Sequence, residues 1–247
     1  MTAVDLQENI RRVKENIAAA AREAGRDPGE VTLVAATKTQ TDETIRAAIA
    51  AGVTVCGENR VQELVAHLDH DAYGTAGLHF IGHLQTNKVK YVVGRVDLIE
   101  SVDSLRLLEA IEVRAAGLDR VQDILLQVNI GREETKSGVP PEEAEALAQK
   151  ALELSHVRLR GLMAIPPAAR SAGSGHFFRE MKQLFVDIKQ KIDDNKSDFN
   201  CLSMGMSGDY PDAVRAGATH VRVGSAIFGP RLPKGVAGDM TSFLGGY

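Results

Sequence analysis

Short apolar runs alternate with amphipathic stretches along nearly the whole chain. The apolar runs lie near residues 31–37, 53–57, 79–82, 97–102, 123–129, 159–165, 199–204 and 219–223. Their length and their flanking turn residues predict buried β-strands. The segments between them carry helical spacing. Asp42-Glu-Thr-Ile-Arg-Ala-Ala-Ile-Ala-Ala-Gly52 opens on a capping residue and stops at glycine. Residues 141–155 and 177–193 are longer helices of the same kind. Ahead of the first strand, Leu6, Ile10, Val13 and Ile17 alternate with Arg11, Arg12, Lys14 and Glu15, which predicts an amphipathic helix over 5–23. Asp5 with Glu8 resembles a capping box at its start.

Strict alternation of strand and helix implies parallel strands joined by right-handed crossovers. Eight such units closing on themselves give a TIM (β/α)8 barrel, whose usual size of about 250 residues suits this chain. An open doubly wound sheet is the alternative, but no Gly-x-Gly-x-x-Gly loop follows the first strand. The expected fold is therefore α/β: one TIM barrel domain spanning residues 1–247, with an additional N-terminal helix.

Composition narrows the partners. A hydrophobic content of 44% supports a large core, and a net charge of −4 provides no general basic field for nucleic acid. No stretch approaches the roughly 20 apolar residues that span a bilayer, and the charged first helix is unlike a signal peptide. Cys56 and Cys201 sit inside apolar runs without metal-ligand spacing, so reduced thiols, no metal site and a cytoplasmic location are expected. Pro166-Pro-Ala-Ala-Arg-Ser-Ala-Gly-Ser-Gly175 follows the sixth strand. In a barrel it lies at the C-terminal face, either as a cover for a site or as a plain surface loop.

Candidate chemistry gathers at the predicted C-terminal strand tips, where TIM barrels place their sites. In order these are Lys38, Asn59 and Arg60, His83, Asn129, Met204 to Ser207, and Arg222 to Ser225. Lys38 closes the apolar run Val31-Thr-Leu-Val-Ala-Ala-Thr-Lys38. A lysine on a buried tip tends toward the neutral amine, the form that attacks an aldehyde to make a Schiff base. On its own it reads rather as a lysine snorkelling to solvent, and the phosphate loops turn the balance toward the Schiff base. Ser207, Gly224 and Ser225 lie in two loops rich in backbone N–H groups, after the seventh and eighth strands, a frequent phosphate site in barrels. An amine and a phosphate cradle together suit pyridoxal 5′-phosphate (PLP), which carries one aldehyde and one phosphate. Arg222, two residues before Gly224, shares its strand face and points toward the mouth. It is placed either to donate to the pyridine nitrogen and keep it unprotonated, or to form a salt bridge at the rim.

Five separated motifs carry a family resemblance: Ala36-Thr-Lys38, Gly57-Glu-Asn-Arg-Val-Gln-Glu63, His79-Phe-Ile-Gly-His-Leu-Gln-Thr-Asn-Lys88, Met204-Gly-Met-Ser-Gly-Asp209 and Val221-Arg-Val-Gly-Ser-Ala-Ile-Phe-Gly229. Together they resemble the PLP homeostasis proteins, the PLP-binding YggS/PROSC family, over nearly the whole chain. The resemblance implies a fold-type III PLP-binding barrel like the N-terminal domain of alanine racemase, with the cofactor on Lys38. It implies phosphate on Ser207, Gly224 and Ser225, the ring nitrogen by Arg222, and a pocket lined by Asn59, His83 and Met204. Tyr210-Pro211-Asp212 departs from the acidic helix start expected there, and the tail from Val236 to Tyr247 looks individual. Gly131-Arg-Glu-Glu-Thr-Lys-Ser-Gly138 resembles a family loop with a second lysine, here Lys136, read as a transient PLP contact or as a solvated loop.

A racemase on this barrel needs a second acid/base opposite the lysine. In the racemases that is a tyrosine of an additional β domain, and the chain ends about two dozen residues past the eighth strand. Tyr73, Tyr91 and Tyr247 are not at predicted tips, and Tyr210 reads as helix packing. The expectation is a PLP carrier or reservoir without robust turnover, a monomer, with PLP-dependent apo-enzymes as possible recipients. Two alternatives stand: an amino-acid racemase-like enzyme using His83 as its second base, and a class I aldolase using Lys38 on a keto substrate.

Overall fold

Eight parallel strands hydrogen-bond in chain order, and the eighth pairs with the first to close a barrel. They are β1 Thr32–Ala36, β2 Val55–Glu58, β3 Gly77–Phe80, β4 Leu98–Val102, β5 Gln122–Val128, β6 Val157–Ala164, β7 Cys201–Ser203 and β8 His220–Val223. The helices are α1 Ala3–Glu23, α2 Asp42–Ala50, α3 Val61–Asp69, α4 Leu105–Ala116, α5 Pro141–Leu152, α6 Gly175–Lys191, α7 Tyr210–Arg215 and α8 Ser225–Phe228. The structure is a computed structural model, described over residues 3–167, 175–192 and 198–230. Residues 168–174 of the loop after β6 and the tail from Val236 lie outside the described residues.

Side chains alternate across each strand, as the pleat requires. On β1, Val34 and Ala36 point into the barrel and pack with Ile81. Leu33 and Ala35 point outward and join the apolar layer beneath the helices. A second interior group is Leu98, Leu125, Met163 and Cys201. Both cysteines are buried free thiols, pushed up by burial, Cys56 to about 12 and Cys201 to about 11.

Several element bounds differ from expectation by a residue or two, and two differences have a visible local setting. β6 begins at Val157 rather than 159, because Arg158 and Arg160 sit within it. Both guanidiniums reach Asp123 on neighbouring β5, at 2.6 and 2.7 Å, so charges that look like loop residues belong to a strand pair. The connection from β3 to β4 is a 3-10 helix, Thr86–Tyr91, rather than an α-helix.

The predicted N-terminal helix has a structural task. α8 is only one turn, too short to cover the barrel between α7 and α2. α1 packs against α7, α8 and α2 and takes that place in the outer ring. Its buried stripe is Leu6, Ile10, Val13, Ile17, Ala20 and Ala21. Two side chains fasten it: Asn9 Nδ2 donates to the Ile227 carbonyl at 3.0 Å, and Asn16 Nδ2 to Tyr210 Oη at 2.9 Å. Among the described residues no helix is long and apolar enough to cross a membrane.

Candidate functional site

The C-terminal ends of β7, β8 and β1 are neighbours, and three of the predicted features meet there. Ladder register sets Arg222 opposite Val34 and Val223 opposite Ala35. Gly224 follows at the level of Ala36, where an added Cβ would touch the Ala36 Cβ at 3.5 Å. Lys38 therefore stands two residues beyond the level of Gly224 on the adjacent strand.

Lys38 is not itself in the strand. It lies two residues past Ala36, beyond the strand's C-terminal tip as expected, and is partly rather than fully buried. A tight turn holds it instead, with Gln40 N–H donating to the Thr37 carbonyl at 3.0 Å. Thr37 is fully buried, and its hydroxyl donates to Glu58 Oε1 in a short hydrogen bond. On the other flank, the Thr39 N–H donates to Glu63 Oε2 at 3.2 Å. Thr39 has φ of 65°, in the left-handed region that a β-branched residue avoids. Burial pushes the Glu58 carboxyl up, with the Thr37 hydrogen bond opposing it. Glu58 and Glu63 both come from the Gly57–Glu63 motif, so that motif braces the lysine turn from behind.

The phosphate-like loop is assembled on one hydroxyl. Ser207 Oγ accepts from the backbone N–H of Gly224 at 3.1 Å and of Ala226 at 3.2 Å. Asp209 Oδ1 accepts from the Met206 N–H at 2.7 Å and tightens the turn ahead of α7. Ser225 is exposed at the start of α8. Ala226 was not singled out from the sequence, although the orphan N–H groups of a first helical turn include it.

Arg222 is 5% exposed and points into the barrel. Nη1 donates to Ser203 Oγ at 2.5 Å and Nη2 to the Ala164 carbonyl at 2.8 Å. Glu100 Oε2 lies 3.7 Å from Nη1. The Glu100 carboxylate also accepts from Ser203 Oγ at 2.6 Å and pairs with His79 Nδ1 at 2.7 Å. Burial alone would raise Glu100, but His79 and Arg222 outweigh it and hold the carboxyl at about 2. Burial pulls Arg222 down, and Glu100 opposes that. The rim salt bridge weighed from the sequence is thus an interior one.

The remaining predicted residues are spread out. Asn59 is half-buried after β2, and its carbonyl lies 2.0 Å from where a Cβ on Gly82 would stand. Only glycine lets the loop after β3 cross there. His83 is 57% exposed, with Nδ1 3.3 Å from both Asp103 Oδ2 and Ser137 Oγ. Those partners follow β4 and β5, so His83 sits across the mouth from the Ser207 loop. Asn129 spends its side chain on its own loop, donating to the Glu133 carbonyl at 2.8 Å and accepting from the Glu133 N–H at 3.2 Å. Lys136, in the same loop, is exposed. Met204 is fully buried in the layer between barrel and helices. Its side chain faces away from the mouth, because inward Ser203 precedes it and parity alternates. That placement gives no support to the expectation that the Met204 side chain lines the pocket. Among the described residues no cluster of three metal-ligating side chains occurs.

Residues 9–232 match the model of the alanine racemase N-terminal domain family. The chain is 41% identical to the "Pyridoxal phosphate homeostasis protein" of Aquifex aeolicus over 228 residues, covering 91% of this chain and 97% of that one. It belongs to the PLP homeostasis family. Two solved structures share its fold closely. One is titled an unknown protein from Bifidobacterium adolescentis, at TM-score 0.85 and 39% identity over 92% of this chain and 95% of that one. The other is PipY of Synechococcus elongatus PCC7942 with PLP bound, at TM-score 0.78 and 32% identity over 91% of this chain and 100% of that one. As a member of the PLP homeostasis family, the chain carries all five sequence motifs on described elements or the loops that join them.

Proposed function

We propose that this chain binds PLP at the β7–β8–β1 end of the barrel and serves as a cytoplasmic reservoir and carrier of it. The observation that carries this reading is the convergence of Gly224 and Ala226 N–H groups on Ser207 Oγ, one strand away from the braced Lys38 turn. That arrangement fits the cofactor: a hydroxyl and two amide donors at one point suit a phosphate, and an amine above the neighbouring strand suits an aldehyde. PLP, when bound, supplies an aldehyde that condenses reversibly with an amine and a pyridine ring that can withdraw electrons. Lys38 would hold the aldehyde carbon, and Ser207, Gly224, Ser225 and Ala226 the phosphate. Arg222 would donate to the ring nitrogen, and because guanidinium keeps its proton, that nitrogen would stay unprotonated. Asn59 and His83 would flank the opening.

Carriage rather than turnover is favoured by what faces Lys38. His83, the candidate second base, is exposed across the mouth and engaged with Asp103 and Ser137. The relatives are named for homeostasis, which agrees with that reading.

The test is direct. The protein incubated with PLP should turn yellow, and borohydride followed by mass spectrometry should place the adduct on Lys38. Lys38→Ala should lose the adduct and keep the fold. An adduct mainly on Lys136, or none, would overturn the site. Solvent-deuterium exchange at the α-carbon of L-alanine decides between carrier and racemase-like enzyme: rates normal for a PLP enzyme would end the carrier reading. Reaction with a keto sugar phosphate by protein free of PLP would point to the aldolase.

A further inference from the structure

A carboxylate lies at the centre of the barrel, outside every motif used so far. Glu100 is fully buried on β4, and both of its oxygens are committed, Oε1 to His79 on β3 and Oε2 to Ser203 on β7. An ionised carboxylate only accepts and a guanidinium only donates. The Ser203 hydroxyl between them therefore has one possible sense: it accepts from Arg222 and donates to Glu100. By the same rule His79 carries its proton on Nδ1. Four strands, β3, β4, β7 and β8, thus contribute one side chain each to a directed brace that ends on Arg222.

We propose that Glu100 is a positioning residue of the cofactor site, fixing the Arg222 guanidinium through Ser203 and balancing its charge at the ring end of bound PLP. The proposal rests on the PLP reading above. A buried guanidinium needs an opposite charge nearby, and Glu100 is the carboxylate within 4 Å of it. Without that balance Arg222 would present an uncompensated positive charge to the cofactor.

The other titratable and charged groups around the pair are His79 on β3, Arg160 on β6, Cys201 on β7, His220 on β8 and Asp209 ahead of α7. Burial pulls His220 down to about 4, so it stays neutral near and above pH 6.

The experiment is a pH titration of the visible absorbance of bound PLP, in wild type and in Glu100→Gln. Removing the anion should disfavour the protonated form of the bound cofactor and lower the midpoint by roughly one unit. PLP should also bind severalfold more weakly. Glu100→Asp, which restores the charge, should return the midpoint at least halfway. Ser203→Ala, which keeps both charges, should leave the midpoint in place while weakening PLP severalfold. A wild-type midpoint and affinity in Glu100→Gln would overturn the proposal. If Glu100→Gln does not fold, Ser203→Ala decides: unchanged PLP affinity at near-normal Tm overturns it, and severalfold loss supports it. Failure of the PLP reading looks different, because wild type itself would then give no borohydride adduct on Lys38.

Discussion

Ser207 is the side chain on which the proposed phosphate contact turns. Its hydroxyl is the point on which two backbone donors converge. A hydrogen bond to an anion contributes about 1.5–3 kcal/mol, so Ser207→Ala should weaken PLP by roughly 10- to 100-fold in an absorbance titration. Pyridoxal, lacking phosphate, should bind far more weakly than PLP, and equal affinities would refute the phosphate assignment. Two buried groups make stability depend on pH. His220 is held near 4 against an ordinary 6.5, so the unfolded chain binds its proton first, and stability falls as pH drops from 6.5 towards 4. Glu100 is held near 2 against 4.5, so its contribution is complete above pH 4.5 and disappears towards 2. Thermal melts of wild type and His220→Gln between pH 7 and 4 should converge on acidification; parallel curves would exclude His220 as the cause. Lys38, Ser207 and Gly224 could be picked out as candidates in the sequence because each closes or follows an apolar run, and Arg222 because it interrupts one. Glu100 and Ser203 were not, because a lone polar residue within a strand reads as solvent-facing until the sheet closes around it, and His79 stood in a motif whose pattern does not reveal its carboxylate partner.

At the scale of elements, the lysine turn depends on α3 and β2 more than on its own strand. Thr39 adopts a left-handed φ that costs an L-residue about 1–2 kcal/mol, and Glu63 holds its N–H in that state. Strain kept by the surrounding structure is expected where position matters to function. Thr39→Gly should relieve it and raise Tm by a few degrees at most, since glycine also frees the unfolded chain. Glu63→Ala should leave Thr39 unsupported, and capture of PLP by Lys38, followed as the rate of yellow colour formation, should slow. A normal rate in Glu63→Ala would mean the brace is idle. The Gly57–Glu63 motif was recognisable as a pattern, but its task was not, since Glu58 and Glu63 act on a turn some 20 residues earlier in the chain. The shift in the start of β6 has the same origin: Arg158 and Arg160 look solvated until Asp123 is seen beside them.

For the whole molecule, closure of the barrel is what the alternating pattern foretold, and it rests on a few intolerant points. Gly161 on β6 has φ of 151°, and a Cβ there would stand 1.7 Å from the Cys201 carbonyl oxygen. The β5–β6 register shifts just beside it. Gly161→Ala should therefore lose cooperative thermal unfolding or fail to accumulate as soluble protein, and a near-normal melt would show that the strand pair can yield. The helix over residues 5–23 was also foreseen, but not that it closes the outer ring, because that task follows from the brevity of α8 at the opposite end of the chain. Its seat has a consequence for birth on the ribosome. The stripe of Leu6, Ile10, Val13 and Ile17 emerges ahead of all eight strands, while its partners in α7 and α8 emerge only after β7. Through most of translation that apolar stripe has α2 and the short turn Pro28–Glu30 to lean on, without its two main seats. A nascent chain stalled before β8 should hence recruit holding chaperones at its first helix and release them only when the final turn has been made.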